Sequence, residues 1–205
     1  MAATIDREMG TTVLGAVLAG GASARMGSDK TVARLAGRTL VDRAVAVLEE
    51  VFETVVVSVS ATPSGRVEAT VTDRWRDSGP LGGLEAVLDH AAGRPVFVLA
   101  CDLPLVGESV VRKIVDDAGA GVAVERATAW IASGLGRDQP LCGLYSAACL
   151  EVVRVRLADG MLSMRDLLQQ FEVHRVDVGD PGADLLLNVN WPEDLERARE
   201  LLNGR

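Results

Sequence analysis

The chain has 205 residues, 48% hydrophobic and 24% charged, with a formal net charge of -8 at pH 7, so it can bury one core of ordinary size. The acidic balance argues against a nucleic-acid partner, which needs a basic surface to displace phosphate counterions. No apolar run approaches the roughly 20 residues that cross a bilayer.

The N-terminus lacks the basic-then-apolar pattern of a secretion signal. The three cysteines, Cys101, Cys142 and Cys149, lack zinc-site spacing and read as reduced core residues. The expectation is a single cytoplasmic domain over residues 1–205, with 1–11 a flexible N-terminal extension.

Taken in chain order, residues 12–19 read as a buried strand running into glycines. Residues 39–52 carry apolar positions at helical spacing behind Thr39, a suitable N-cap. Strands are expected at 54–60 and 70–72, then a glycine-rich turn at 79–83 and a helix at 84–91. Residues 95–100 form a continuous apolar run, a buried central strand ending at Cys101 and Asp102. Helix at 109–118, strand at 121–124, strand at 140–146, helix at 147–157 and helix at 163–171 follow, with strand at 173–178 and a closing helix at 192–202. Pro192 suits the first turn of that helix. Strands alternating with helices predict an α/β fold with a mostly parallel central sheet between helical layers. In such sheets ligands bind beyond the C-terminal strand ends, so the loops after Ala19 and Ala100 should share a crevice.

After the first strand the chain reads Leu18-Ala19-Gly20-Gly21-Ala22-Ser23-Ala24-Arg25-Met26-Gly27-Ser28-Asp29-Lys30. Paired glycines let backbone N–H groups approach an anion, and Arg25 and Lys30 supply full positive charges. The P-loop and dinucleotide fingerprints both fail on spacing. Of 21 basic residues, the only lysines are Lys30 and Lys113. A chain that so favours arginine keeps at position 30 a compact ammonium, suited to sit between phosphates.

Asp102 offers a hard oxygen of the kind Mg²⁺ takes alongside substrate phosphates, or else it caps the next helix. Asn188 and Asn190 put two amides on one side of an extended segment, where they bind a ligand or cap the Pro192 helix. His90 and His174 match no catalytic pattern.

The loop resembles the signature Leu-Ala-Gly-Gly-x-Ser-x-Arg-Met-Gly-x-Asp-Lys of molybdenum cofactor guanylyltransferases, the MobA family. The resemblance implies a three-layer α/β/α, Rossmann-like nucleotidyltransferase fold that joins GMP from GTP to the terminal phosphate of molybdopterin and releases pyrophosphate. It implies that Leu18, Ala19, Gly20 and Gly21 meet the nucleotide through the backbone. Arg25 and Lys30 then bind the triphosphate, and Asp102, in an Asp-x-Pro motif, holds Mg²⁺. Gly79, Pro80 and Leu81 match a turn beside the guanine and ribose. Asp73 corresponds to an acid that contacts the nucleoside, with Asp77 competing for the alignment. Ser58 stands where some relatives carry an asparagine that contacts the nucleotide.

Gln139, Pro140 and Tyr145 resemble a strand flanking the pterin, and Asn188 and Asn190 an Asn-x-Asn-x-Pro element on the same acceptor side. Residues 125–137, where the second substrate should bind, match the family poorly. Molybdoenzyme maturation proteins are the implied further partners. The alternatives are a cytidylyl or sugar-phosphate transferase, or a non-catalytic cofactor-delivery protein.

Overall fold

A computed structural model describes residues 13–19, 33–59, 70–75, 77–119, 125–134, 136–179 and 184–204. The expectations for residues 1–11, for a strand at 121–124, and for Gly20, Gly21, Arg25 and Lys30 lie outside the described residues.

Nine strands and six helices are described. They are β1 (Leu14–Leu18), β2 (Arg34–Leu35), β3 (Arg38–Thr39), α1 (Leu40–Glu49), β4 (Val55–Val59), β5 (Thr70–Thr72), α2 (Pro80–His90) and β6 (Val96–Ala100). After them come α3 (Glu108–Ala118), β7 (Thr128–Gly134), β8 (Arg137–Tyr145), α4 (Cys149–Ala158), α5 (Met164–Leu168), β9 (Glu172–Asp177) and α6 (Pro192–Asn203).

One sheet of seven strands has the order β5-β4-β1-β6-β8-β7-β9. Its pairs are parallel except for the two made by β8. β1 and β6 are buried at every position, as expected of parallel strands covered on both faces. On one face α1, α3 and α6 contribute Leu40, Leu48, Val111, Ile114 and Ala198 to a core with Val17, Phe97 and Leu99. On the other, α2, α4 and α5 contribute Leu84, Val87, Val153 and Leu167 to a core with Leu14, Ala16 and Val98. The result is the expected helix-sheet-helix sandwich. Among the described residues no helix is long and apolar enough to cross a membrane.

Local signals resolve as expected at several helix ends. The Thr39 side chain accepts from the Asp42 N–H at 3.0 Å and caps α1. Pro192 opens α6, where the Asp194 carboxylate accepts from the Asn190 and Trp191 N–H groups at 2.9 Å each.

The glycine-rich segment 79–83 is not all turn. Gly79, at φ 59° and ψ -148°, is the N-cap, and α2 begins at Pro80, four residues ahead of the expected start. The glycines inside the helix serve close packing: a Cβ on Gly82 would lie 2.0 Å from Ser78 Oγ and 2.5 Å from Asp73 Oδ2. One on Gly83 would meet Ser58 Oγ at 3.2 Å and Leu18 at 3.3 Å.

β7 has no counterpart in the expected elements, yet it pairs on both sides. It turns into β8 at Gly136, whose φ is 73°, a left-handed conformation that glycine adopts freely. The expected helix at 163–171 shortens to α5, while the expected strand at 140–146 lengthens at its start to β8.

Candidate active site at the switch point of the sheet

β1 pairs with β4 on one side and with β6 on the other. The chain leaves β1 for one half of the sheet and returns at β6 to build the other, so the β1/β6 boundary is the topological switch point where crevices form. At that edge Leu18 and Ala100 are cross-strand partners. The loops beyond them are tied together: Cys101 N–H donates to the Leu18 carbonyl at 3.2 Å, and Ala19 N–H donates to the Ser58 carbonyl at 2.9 Å. Leu18 and Ala19 therefore stand directly beside the loop that bears Asp102.

Asp102 is the second residue beyond β6 and is partly exposed. Leu103 N–H closes a turn onto the Ala100 carbonyl at 3.2 Å, and Val189 N–H donates to the Asp102 carbonyl at 2.8 Å. That last bond brings the Asn188–Asn190 segment, remote in sequence, to the Asp102 loop. Val189 is fully buried, while Asn188 is exposed and Asn190 partly so. The amides thus lie away from the core at the crevice edge. The N-cap of α6 is Trp191, and Asn190 joins the cap through its backbone N–H, which donates to the Asp194 carboxylate alongside that of Trp191.

Asp73 stands at the end of β5, its N–H donating to the Val59 carbonyl at 3.1 Å. Its Oδ1 accepts from Trp75 N–H at 2.7 Å and its Oδ2 from Ser78 Oγ at 3.4 Å. The carboxylate is built into the turn that launches α2, whose first-turn N–H groups have no capping side chain. Arg154 locks α2 in place. It donates to Glu85 at 2.9 Å and to Asp89 at 2.5 Å, and Arg74 also pairs with Asp89. The Arg154 hydrogen bond leads the causes that hold the Asp89 carboxyl below its usual pKa.

Three other expected site residues are buried. Ser58 is 2% exposed against Gly83, and Leu81 is fully buried in the core beneath α2. Leu18 is 4% exposed and packs on Gly83, leaving its backbone as the part that reaches the edge. Gly79 is exposed and Pro80 partly so.

The strand expected on the acceptor side divides. β8 is antiparallel to β6, so Gln139 pairs with Ala132 towards the crevice edge while Tyr145 pairs with Val96 at the opposite edge. Gln139 and Pro140 are partly exposed, but Tyr145 is fully buried and its hydroxyl donates to the Pro140 carbonyl. Burial drives the Tyr145 pKa up. Tyr145, expected on the acceptor side, is instead a core residue that reaches the other end of the strand only through its bond to Pro140.

The cysteines are all buried and unbridged. Burial pushes the Cys142 thiol up to about 12 and the Cys149 thiol up to about 11, which removes them as nucleophiles.

Solved structures share this architecture. Molybdopterin-guanine dinucleotide biosynthesis protein A from Archaeoglobus fulgidus superposes with a TM-score of 0.75 at 24% identity, covering 94% of this chain and all of that one. A 2-C-methyl-D-erythritol 4-phosphate cytidylyltransferase from Thermus thermophilus superposes at 0.65 with 17% identity, covering 92% of this chain and 98% of that one. These superpositions show the fold alone. The family is narrower: residues 15–176 match the model of the MobA-like NTP transferase domain, and the chain belongs to that family.

Among the relatives, a molybdenum cofactor guanylyltransferase of Desulfosudis oleivorans is 31% identical over 201 residues, 94% of this chain and 96% of that protein. Another, from Rhizobium leguminosarum bv. trifolii, is 32% identical over 206 residues, covering 94% of each.

Proposed function

We propose that this nucleotidyltransferase transfers GMP from GTP to the terminal phosphate of molybdopterin, forming molybdopterin guanine dinucleotide and pyrophosphate. The observation that carries the reading is the stitching of the Leu18 and Cys101 loops. It sets Leu18 and Ala19, where the guanylyltransferase-like signature begins, beside the Asp102 loop in a chain whose full-length relatives bear that activity in their names.

In the reaction a molybdopterin phosphate oxygen attacks the α-phosphorus of GTP, and the bond from that phosphorus to the bridging β-phosphate oxygen breaks. A phosphate monoester is already ionised near neutral pH, its second pKa being about 6, so neither a protein nucleophile nor a general base is required. The protein's task is to overcome repulsion between anions and to stabilise charge on the leaving pyrophosphate. In this reading Lys30 and Arg25 hold the β- and γ-phosphates, and backbone N–H groups of residues 19–21 hold the nucleotide. Gly79, Pro80 and the first turn of α2 border base and ribose. Gln139, Pro140, Asn188 and Asn190 orient the acceptor.

Among the described residues no three acidic, histidine or cysteine side chains group into a metal cage. A single carboxylate at the crevice fits Mg²⁺, which prefers one or two carboxylates plus substrate phosphates, and Asp102 would hold it. Bound there, the ion supplies charge neutralisation across phosphate oxygens. GTP supply places the reaction in the cytoplasm, with molybdoenzyme maturation proteins receiving the product.

The test incubates the protein with molybdopterin, Mg²⁺ and GTP, CTP or ATP in turn, then measures pyrophosphate and dinucleotide mass. Product from GTP is expected. Product from CTP alone overturns the guanine assignment, and nucleotide binding without any product favours a delivery role.

A further inference from the structure

We infer that the cleft between α1 and the loop after β6 is a second oxyanion site, taking pyrophosphate or phosphate between Arg38 and Arg43. The inference concerns a surface outside the substrate crevice and does not depend on the identity of the acceptor.

The cleft has a volume of about 250 Å³, below the range of roughly 300–1,000 Å³ that takes drug-sized ligands. Its floor is apolar, formed by Ala44 and Val47 of α1 and by Leu103 and Val106. Arg38 is exposed at the start of β3 and Arg43 is partly buried on α1. Arg43 donates through Nη2 to the Pro104 carbonyl at 3.4 Å, a long bond, and its Nε is buried without a hydrogen-bond partner among the described residues.

Neither guanidinium lies within 4.0 Å of a carboxylate among the described ion pairs. Among the described residues that line the cleft the acid is Glu50, the C-cap of α1, seven residues on from Arg43, a rise of about 10 Å at 1.5 Å per residue. Burial first, and the Arg38 charge second, lower the Arg43 pKa.

Two like charges brought together, with a buried donor left over, are costly in the empty cleft. One oxyanion relieves both costs, because guanidinium forks match phosphate oxygens in shape and charge. Size selects a small anion, and the reaction class of this protein releases one. The position also matters: Pro104, whose carbonyl Arg43 holds, lies two residues beyond Asp102. An anion that draws the Arg43 fork towards itself competes with this anchor of the Asp102 loop.

Isothermal titration of the full chain with pyrophosphate, and separately with inorganic phosphate, tests the site. Both titrations are run with saturating GTP, so that the substrate crevice is filled, and without molybdopterin, so that no turnover occurs. Pyrophosphate binding is expected to persist under GTP and to weaken about tenfold or more in Arg38→Glu, the loss of one charge-assisted contact plus added repulsion. Arg38 is exposed, so the melting temperature of that variant should match the parent, and Arg43→Gln should weaken binding in parallel. Tighter binding of pyrophosphate than of phosphate would name the reaction product as the source, and equal binding would name free phosphate; either supports the site. Loss of all binding under GTP, or binding that Arg38→Glu leaves unchanged, means an adventitious ion only and overturns the inference. Failure of dinucleotide synthesis would overturn the proposed acceptor and leave this result intact.

Discussion

The sheet has two halves that place their candidate site residues by different rules. In β5-β4-β1-β6 every strand runs the same way, so residues that follow a strand collect at one edge: Ala19 after β1, Asp73 after β5 and Asp102 after β6. In β8-β7-β9 the antiparallel β8 sends the two ends of one motif apart, Gln139 towards the crevice and Tyr145 to the far edge. A motif read along a strand locates a site in the first half. In the second it locates one only once strand direction is known.

The largest expected effect probes the parallel half. Asp102→Asn keeps size and backbone bonding but removes a charge from the crevice, and pyrophosphate release should fall on the order of 10²–10³-fold, the loss typical of a preorganised electrostatic group. Lys30→Ala should fall by a similar factor. Circular dichroism should show both folded; parental turnover in either would break the claim that post-strand residues converge on the chemistry.

Next come the glycines that let each half close. In Gly143→Ala the new Cβ would sit 2.6 Å from the Trp130 carbonyl oxygen, backbone that cannot rotate away, next to the register shift between Ile131 and Ala132. Urea unfolding should show a loss of about 1–3 kcal/mol or more. Gly82→Ala meets side chains, Ser78 and Asp73, which can yield, so its stability loss should be smaller. It displaces the Asp73 carboxylate and should therefore raise the nucleotide KM. A Gly82→Ala variant with parental KM would remove Asp73 from the nucleotide side.

Tyr145→Phe sharpens the contrast from the other half. It deletes the hydroxyl that serves the Pro140 carbonyl and should cost about 1–2 kcal/mol with little change in kcat. A fall in kcat without a fall in stability would return Tyr145 to the acceptor side. The smallest expected effect is Thr39→Ala, about 1 kcal/mol from the lost N-cap, visible in urea unfolding and absent from steady-state kinetics.

The sequence by itself determined the elements whose signals are local. Apolar runs marked β1 and β6, Thr39 and Pro192 marked helix starts, and the alternation of elements marked the layered fold. The wording of residues 18–30 named the family before any contact was known. The tertiary structure decided what depends on approach between distant segments. Gly82 and Gly83 looked like turn residues because glycine is a poor helix former in isolation, yet both lie in α2, where Ser78 and Asp73 crowd a Cβ on Gly82 and Ser58 and Leu18 press on one at Gly83. β7 carries an apolar run at 129–132 too short to mark a strand by itself, and its place was fixed by partners at 137–145 and 172–177. The Val189 bond that carries the two asparagines to Asp102 joins residues far apart in the chain, and the arginine cleft sets Arg43 against Pro104 in the same way. Periodicity and capping act over a few residues, whereas these contacts exist only after the sheet has brought its edges together.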